Sequence, residues 1–114
     1  MFVVCIHNWL TLASLVASTV REKNKGNECF RAGENEEALL FYSRAIALNE
    51  RSAVVYANRA MANIRLNNFE SAVSDCTRAL EIDPNYTKAL SRRGMVHHRS
   101  GRYVRERSER CRSR

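Results

Sequence analysis

The sequence predicts an all-α protein, built as a helix-turn-helix solenoid of about two and a half repeats. The first observation is a small residue that recurs every thirty-four positions, and the second is a turn-forming residue with the same interval. The small residues are Gly26, Ala60 and Gly94, and the turn-forming residues are Gly33, Asn67 and Gly101. Apolar residues between them follow helical spacing, which is the third observation. A period of this length indicates stacked repeats, each of which needs a neighbour to bury its apolar face.

The amino-terminal segment, residues 1–18, is apolar and stands apart from the repeats. The chain has no Lys, Arg, Asp or Glu before Arg21. Twenty residues are nominally enough to span a bilayer, but His7, Asn8 and Trp9 dilute the apolar run. A signal peptide would require a positive charge before that run, and this segment has none. Three interpretations stay open, which are a weak membrane anchor, an uncleaved signal-like helix and an extra helix packed on the domain.

Two helices are predicted in each complete repeat. In the second repeat, the first helix has an apolar face formed by Ala53, Tyr56, Ala60 and Ile64. The next helix presents Ala72, Val73, Cys76, Ala79 and Leu80. Asn67–Asn68 separates the two helices, and Pro84 prevents the second from continuing. The predicted helices lie near 20–32, 36–49, 53–66, 70–82 and 87–99.

Two alanines recur in the second helix of each complete repeat. With repeats starting at Thr19, Ala53 and Thr87, position 20 is Ala38 or Ala72 and position 27 is Ala45 or Ala79. Small residues at these two positions, and at position 8 (Gly26, Ala60 and Gly94), let paired helices approach closely, so we expect all of them to pack against a neighbouring helix.

The third repeat loses this pattern. Its positions 20 and 27 are Glu106 and Ser113, and residues 102–114 contain six arginines and two glutamates. We expect residues 19–101 to form the repeat domain, with 102–114 a basic tail that reads as a truncated third repeat. This tail carries +4 of the formal charge of +7. Without interleaved aromatic residues it indicates only electrostatic attraction to nucleic acid, not specific recognition.

Catalytic and metal-binding patterns are not found in the sequence. The four cysteines, Cys5, Cys29, Cys76 and Cys111, lack metal-ligand spacing and favour reduced thiols in a cytosolic protein. His97 and His98 are adjacent, so on a helix they point about 100° apart and are poorly placed to share a metal. There is no Gly-rich phosphate loop and no recognisable nucleophile. The sequence therefore predicts no enzyme activity, no metal and no cofactor.

The repeat resembles the tetratricopeptide repeat (TPR), which has the same length, small residues, turn residues and terminal proline. The resemblance covers about residues 19–103. It implies a right-handed solenoid in which the first helix of each pair lines a concave groove.

Five polar residues are predicted to share that groove. They are Lys23, Asn27, Asn58, Lys88 and Arg92. At about 100° per residue, their positions fall on one arc of the first helices, away from the packing positions. Three cations and two amides without an acidic residue suit a peptide end that carries clustered carboxylates.

This set resembles the dicarboxylate clamp of co-chaperone TPR domains. The segments ANRAMA (57–62), DCTRAL (75–80) and YTKALSRRG (86–94) are similar to those of co-chaperone adaptors. The resemblance implies a cytoplasmic module that binds the acidic Glu-Glu-Val-Asp tails of heat-shock chaperones of the seventy and ninety classes. A TPR scaffold for an unrelated partner is the alternative, and membrane association through residues 1–20 stays open.

Overall fold

The fold is all-α, as predicted. The computed structural model describes the backbone of residues 2–112 and, within that range, the side chains of 12–102 and 104–112. The helices are α1 (Phe2–Arg31), α2 (Asn35–Leu48), α3 (Ala53–Arg65), α4 (Phe69–Ile82) and α5 (Thr87–Arg112). Each helix packs on the next one in the chain, so α1 with α2 and α3 with α4 form two helical hairpins.

The two hairpins turn at the predicted positions. Gly33 and Asn67 adopt the left-handed conformation, with φ of 83° and 61°. The N–H of the following residue donates to the carbonyl five residues earlier, at 2.9 Å in the first turn and 2.8 Å in the second. This is the hydrogen bond of a Schellman turn, which satisfies carbonyl groups at the end of a helix. The turn prediction is therefore confirmed in both complete repeats.

The small residues of the complete repeats pack as predicted. Ala38, Ala45, Ala72 and Ala79 are fully buried, and so is Ala60 of the first helix of the second repeat. The four alanines of the second helices lie in three buried clusters, of which one joins α1, α2 and α3 and the other two join α3, α4 and α5. Each first helix is thereby covered by second helices, which leaves its opposite face open to a groove.

Gly26 is the tightest of these positions. A Cβ atom added there would lie 2.6 Å from Cε1 of Tyr42 and 2.7 Å from Cδ1. The Tyr42 ring on α2 thus occupies the space in which any residue larger than glycine at position 26 would place its side chain. At Gly94 the prediction of close packing is wrong, because nothing lies within 4 Å of an added Cβ atom. No second helix covers Gly94 among the described residues, because residues 102–112 continue α5 instead.

Helix α1 differs from the prediction of a helix near 20–32. It is one helix of 30 residues that begins at Phe2, since no glycine or proline precedes Gly26 to end it. Of the three interpretations of this segment, an extra helix packed on the domain does not fit the described side chains, because Leu12 is 59% and Val16 61% exposed. At 1.5 Å per residue α1 is about 45 Å long, roughly twice α2, so its first half projects beyond the hairpin. Over residues 2–112, no helix has both the length and the hydropathy needed to cross a membrane.

Helix α5 also runs past its predicted end near residue 99. It continues through Gly101 to Arg112, and an Arg102–Glu106 ion pair of 3.3 Å spans one turn of the extension. Val104 is 62% exposed, and all the described side chains of the extension, 102 and 104–112, are exposed, so they form no buried apolar stripe that would fold it back. The high helix propensity of arginine and glutamate then favours a straight continuation. An open groove of about 370 Å³ remains between α4 and α5, with Val73 and Val96 in its lining.

Alanine substitution at two glycines should have opposite effects on stability. Gly26→Ala forces a methyl group against the Tyr42 ring, and we expect a loss of about 1–3 kcal/mol. Gly94→Ala adds a methyl group in open space within a helix, and we expect a gain of about 0.5–1 kcal/mol. Urea unfolding followed by circular dichroism measures both. Equal effects of the two substitutions would contradict the close packing at Gly26.

Covering the α4–α5 groove should stabilise the protein. We would replace residues 102–114 with a turn and a helix that carries alanine at positions 20 and 27 and apolar residues toward Val73 and Val96. For a domain of this size, about 1 kcal/mol corresponds to about 4–8 °C in Tm, and we expect a rise of at least that size. A matched graft with serine and glutamate at the same apolar positions should give no gain. Equal Tm values for the two grafts would show that the groove is not a missing helix contact.

Candidate functional site

A polar groove runs across the open face of the first helices. It has a volume of about 380 Å³ and receives side chains from α1, α3 and α5 and from the loop before α5. The residues that line it are Lys23, Asn27, Phe30, Arg31, Val54, Asn58, Tyr86 and Lys88. Four of the five predicted site residues are therefore brought together here. The fifth, Arg92, contacts the groove through Asn58.

A chain of hydrogen bonds connects these helices, and we call it the amide relay. Arg92 Nη1 donates to Asn58 Oδ1 at 3.4 Å. Asn58 Nδ2 donates in turn to Asn27 Oδ1 at 3.2 Å. The hydroxyl of Tyr42 donates to the same Asn27 oxygen at 2.6 Å. The relay consists of Tyr42, Asn27, Asn58 and Arg92, and it joins α1, α2, α3 and α5 through their side chains.

The repeat period explains why these residues meet. Asn58 and Arg92 are one repeat length apart, so both occupy position 6 of successive first helices. Asn27 occupies position 9 of the first repeat, almost one helical turn further along the same arc. Stacked repeats bring equivalent positions of neighbouring first helices side by side.

Tyr42 is the relay residue that sequence reasoning missed. It lies on the second helix of its repeat and is only 1% exposed, so its pattern is that of a core aromatic residue. Burial raises the pKa of the Tyr42 hydroxyl, although the positive charge of Arg92 opposes part of the rise. The hydroxyl therefore keeps its proton at neutral pH and acts as a donor. The available signal was its polar tip, since a buried tyrosine hydroxyl usually finds a partner.

The groove is electropositive. Lys23, Arg31 and Lys88 line it, and Arg92 lies beside it. Among the residues that the structure describes, none of these four cations takes part in an ion pair. With amide donors between them, the cations form a surface that suits an anion with several acceptor oxygens.

A larger polar groove, of about 470 Å³, lies on the other side of α3, between α2 and α4. The charge of Arg59, a cation in its lining, is already neutralised by an ion pair. Arg59 makes a bidentate contact with Asp75, at 2.6 and 3.0 Å, and Asn63 donates to the same carboxylate at 3.0 Å. Asp75 is 4% exposed, so this cluster is a satisfied structural network between α3 and α4.

No metal-binding arrangement is found in the part of the chain that the structure describes, where no three His, Cys, Asp or Glu side chains cluster. His97 and His98 are both exposed. Cys29, Cys76 and Cys111 are free thiols, and the side chain of Cys5 lies outside the described residues.

Comparison with known proteins identifies the class of protein that this fold and groove define. The family described as tetratricopeptide repeat matches residues 53–86, the second repeat. The second TPR domain of Spaghetti, the protein RPAP3, is 39% identical in sequence and superimposes with a TM-score of 0.72. The alignment covers 75% of this chain and 79% of that domain. The chain belongs to the tetratricopeptide-repeat family, whose domains are protein-interaction modules.

Particular relatives support the predicted resemblance to TPR domains that bind chaperone tails. The Spaghetti domain was solved bound to the HSP90 peptide SRMEEVD. The second TPR domain of human RPAP3, in complex with the HSP70 peptide SGPTIEEVD, is 38% identical with a TM-score of 0.73 and coverages of 77% and 73%. Mouse sperm-associated antigen 1 is 47% identical over 77 residues, which are 68% of this chain but 8% of that protein. The chain thus spans less than a tenth of this curated relative.

Proposed function

We propose that the groove binds the acidic Glu-Glu-Val-Asp tail of heat-shock chaperones of the seventy and ninety classes. The observation that carries this proposal is the convergence of unpaired cations and amide donors from three successive helices. A carboxyl-terminal aspartate preceded by two glutamates offers several carboxylates within a few residues, which matches that arrangement.

Each groove residue has a distinct role in this proposal. Asn27 and Asn58 donate hydrogen bonds to the terminal carboxylate, while Lys23 and Lys88 supply point charges on either side of it. Arg92 holds Asn58 with one N–H and offers the rest of its planar guanidinium to an acidic side chain or a carbonyl oxygen. Together these charge-assisted bonds should give micromolar binding, about −8 kcal/mol.

The related structures support the choice of ligand. The peptides bound by the two similar TPR domains, SRMEEVD and SGPTIEEVD, share the ending Glu-Glu-Val-Asp. Both domains are more than a third identical to this chain. On this basis we assign the groove to chaperone tails rather than to another anion such as nucleic acid.

The wider proposal is a co-chaperone module that binds without catalysing a reaction and works in the cytoplasm. Residues 19–101 form its TPR domain, 1–18 an apolar extension and 102–114 a basic tail. A TPR scaffold for an unrelated partner at a membrane is the alternative. One observation favours it, which is the exposed apolar row of Leu12, Val16 and Val20 on α1.

Binding should depend on the free carboxyl terminus of the peptide and on Lys88. We expect Lys88→Ala, or amidation of the peptide terminus, to remove most of the affinity for a peptide ending in Glu-Glu-Val-Asp. Raising the salt concentration should weaken binding as well, because exposed charges are screened beyond about 10 Å at 0.1 M. Isothermal titration calorimetry measures all three effects.

A matched variant separates the local role of Lys88 from a general loss of charge. Lys25→Ala also removes one lysine, but Lys25 lies outside the groove lining, beside Glu22 and the ring of Phe41. Its affinity should stay within about twofold of the parent, under about 0.5 kcal/mol. Equal affinity for free and amidated peptides, or equal losses in the two lysine variants, would overturn the proposed function.

Deleting residues 1–18 tests the alternative. The described side chains of this segment, 12–18, contribute nothing to the groove, so we expect peptide affinity to change by less than about threefold, or under about 1 kcal/mol. Sedimentation with lipid vesicles before and after the deletion measures any membrane association. A vesicle-bound parent that is released by the deletion, without affinity for the acidic peptide, would support the membrane scaffold instead.

A further inference from the structure

We propose that Tyr42 is a positioning residue that makes the groove select a carboxylate over a carboxamide. Its hydroxyl holds the Asn27 side chain, through the amide relay, with the oxygen turned inward and the N–H groups turned to the groove. The inference rests on the proposed function of the groove and deepens it, because it names a residue that anchors the donor amide on which the preference for a free carboxyl terminus depends.

The direction of the relay is set at its Arg92 end. A guanidinium has only donors, so its partner atom on Asn58 must be the oxygen. The Asn58 nitrogen then faces Asn27, whose partner atom must in turn be an oxygen. One charged residue on α5 thus fixes the orientation of two amides, on α3 and α1.

Tyr42 completes the arrangement at the other end. Its bond to Asn27 Oδ1, at 2.6 Å, is the shortest of the three relay contacts, which are otherwise 3.2 and 3.4 Å. The Tyr42 side chain is also the most buried of the four and is held by its ring against Gly26. The best-fixed donor in the relay therefore anchors the amide of Asn27, and the longer contacts orient it.

The consequence is that one side of Asn27 is saturated and the other is available. Asn27 Oδ1 accepts two hydrogen bonds, as many as its lone pairs allow. Among residues 12–102 and 104–112, no side chain or carbonyl group accepts a hydrogen bond from Asn27 Nδ2. An asparagine free to rotate would offer either its oxygen or its nitrogen to a ligand. Asn27 offers only N–H donors, which match either oxygen of a carboxylate. A carboxamide has a single acceptor oxygen, and its NH₂ group conflicts with these donors and with those of Asn58.

The variant Tyr42→Phe tests this proposal, since it keeps the ring against Gly26 and removes only the hydroxyl. Calorimetry would compare two forms of one peptide ending in Glu-Glu-Val-Asp, with a free acid or an amidated terminus. In the variant we expect affinity for the free acid to fall by about threefold to tenfold, the range for one hydrogen bond. Affinity for the amidated peptide should stay the same, so the preference for the free acid shrinks by that factor.

The matched control is Tyr56→Phe. Tyr56 is a buried tyrosine of the second repeat that is not a member of the amide relay, and its ring contacts Arg59. This variant also loses one tyrosine hydroxyl, but it should keep the parent preference for the free acid. A general softening of the core would affect both variants alike and both peptides alike.

The outcomes separate the inference from the proposed function. If the parent protein binds both peptide forms equally, the proposed function fails whatever Tyr42 does. If the parent prefers the free acid and Tyr42→Phe keeps that preference, the groove assignment stands and the role of Tyr42 is overturned.

A measurement on the parent protein covers the case in which Tyr42→Phe does not fold. The bonded hydroxyl proton of Tyr42 should give a slowly exchanging NMR resonance with cross-peaks to the side chain of Asn27. The Asn27 side-chain NH₂ resonances should shift when the free-acid peptide is added and not when the amidated one is. A rapidly exchanging Tyr42 hydroxyl, or equal Asn27 shifts with both peptides, would overturn the inference.

Discussion

The contact between the Tyr42 ring and Gly26 is the constraint on which both the core and the groove depend. Because Gly26 has no side chain, the ring lies within 2.7 Å of where a Cβ atom would be. This close approach seats α2 on α1 and places Tyr42 in one buried cluster with Ala38 and Ala45. It also places the Tyr42 hydroxyl within hydrogen-bond distance of Asn27, the residue that follows the glycine. One glycine–tyrosine contact therefore sets both the helix packing and the orientation of a groove side chain.

The sequence predicts the middle of the fold well and its two ends poorly, for one physical reason. Helices α2, α3 and α4 begin and end within about one residue of their predicted bounds, since each has an apolar face and a turn residue that agree. Helices end at Gly33 and Asn67 because the helix that follows each turn has alanines that become buried when the chain folds back. Gly101 has the same position in its repeat but is followed by exposed charged residues, and the helix continues. A turn residue permits a turn, and the apolar surface beyond it decides whether the turn forms.

The groove was predictable as a set of residues but not as a network. Helical periodicity places Lys23, Asn27, Asn58 and Lys88 on one side of the first helices, and the structure brings them together. Periodicity says nothing about which atom of an amide faces a neighbour. That choice depends on two residues. The sequence pattern predicted for Arg92 only a role in binding the ligand, and it placed Tyr42, on a second helix, in the core.

The groove and the incomplete end of the solenoid are physically linked. Arg92 lies on α5, which packs on α4 and touches α3, and which has no second helix of its own repeat over Gly94 in the chain described. Its bond to Asn58 is a polar contact that holds α5 to the rest of the groove. A ligand that bridges Lys88 and Arg92 on α5 to Asn27 on α1 adds contacts that exist only when the three helices are stacked. Such a ligand would stabilise the stacked form in proportion to the logarithm of its concentration over its Kd. It would do so from the polar groove, on a different face of α5 from the uncovered α4–α5 groove.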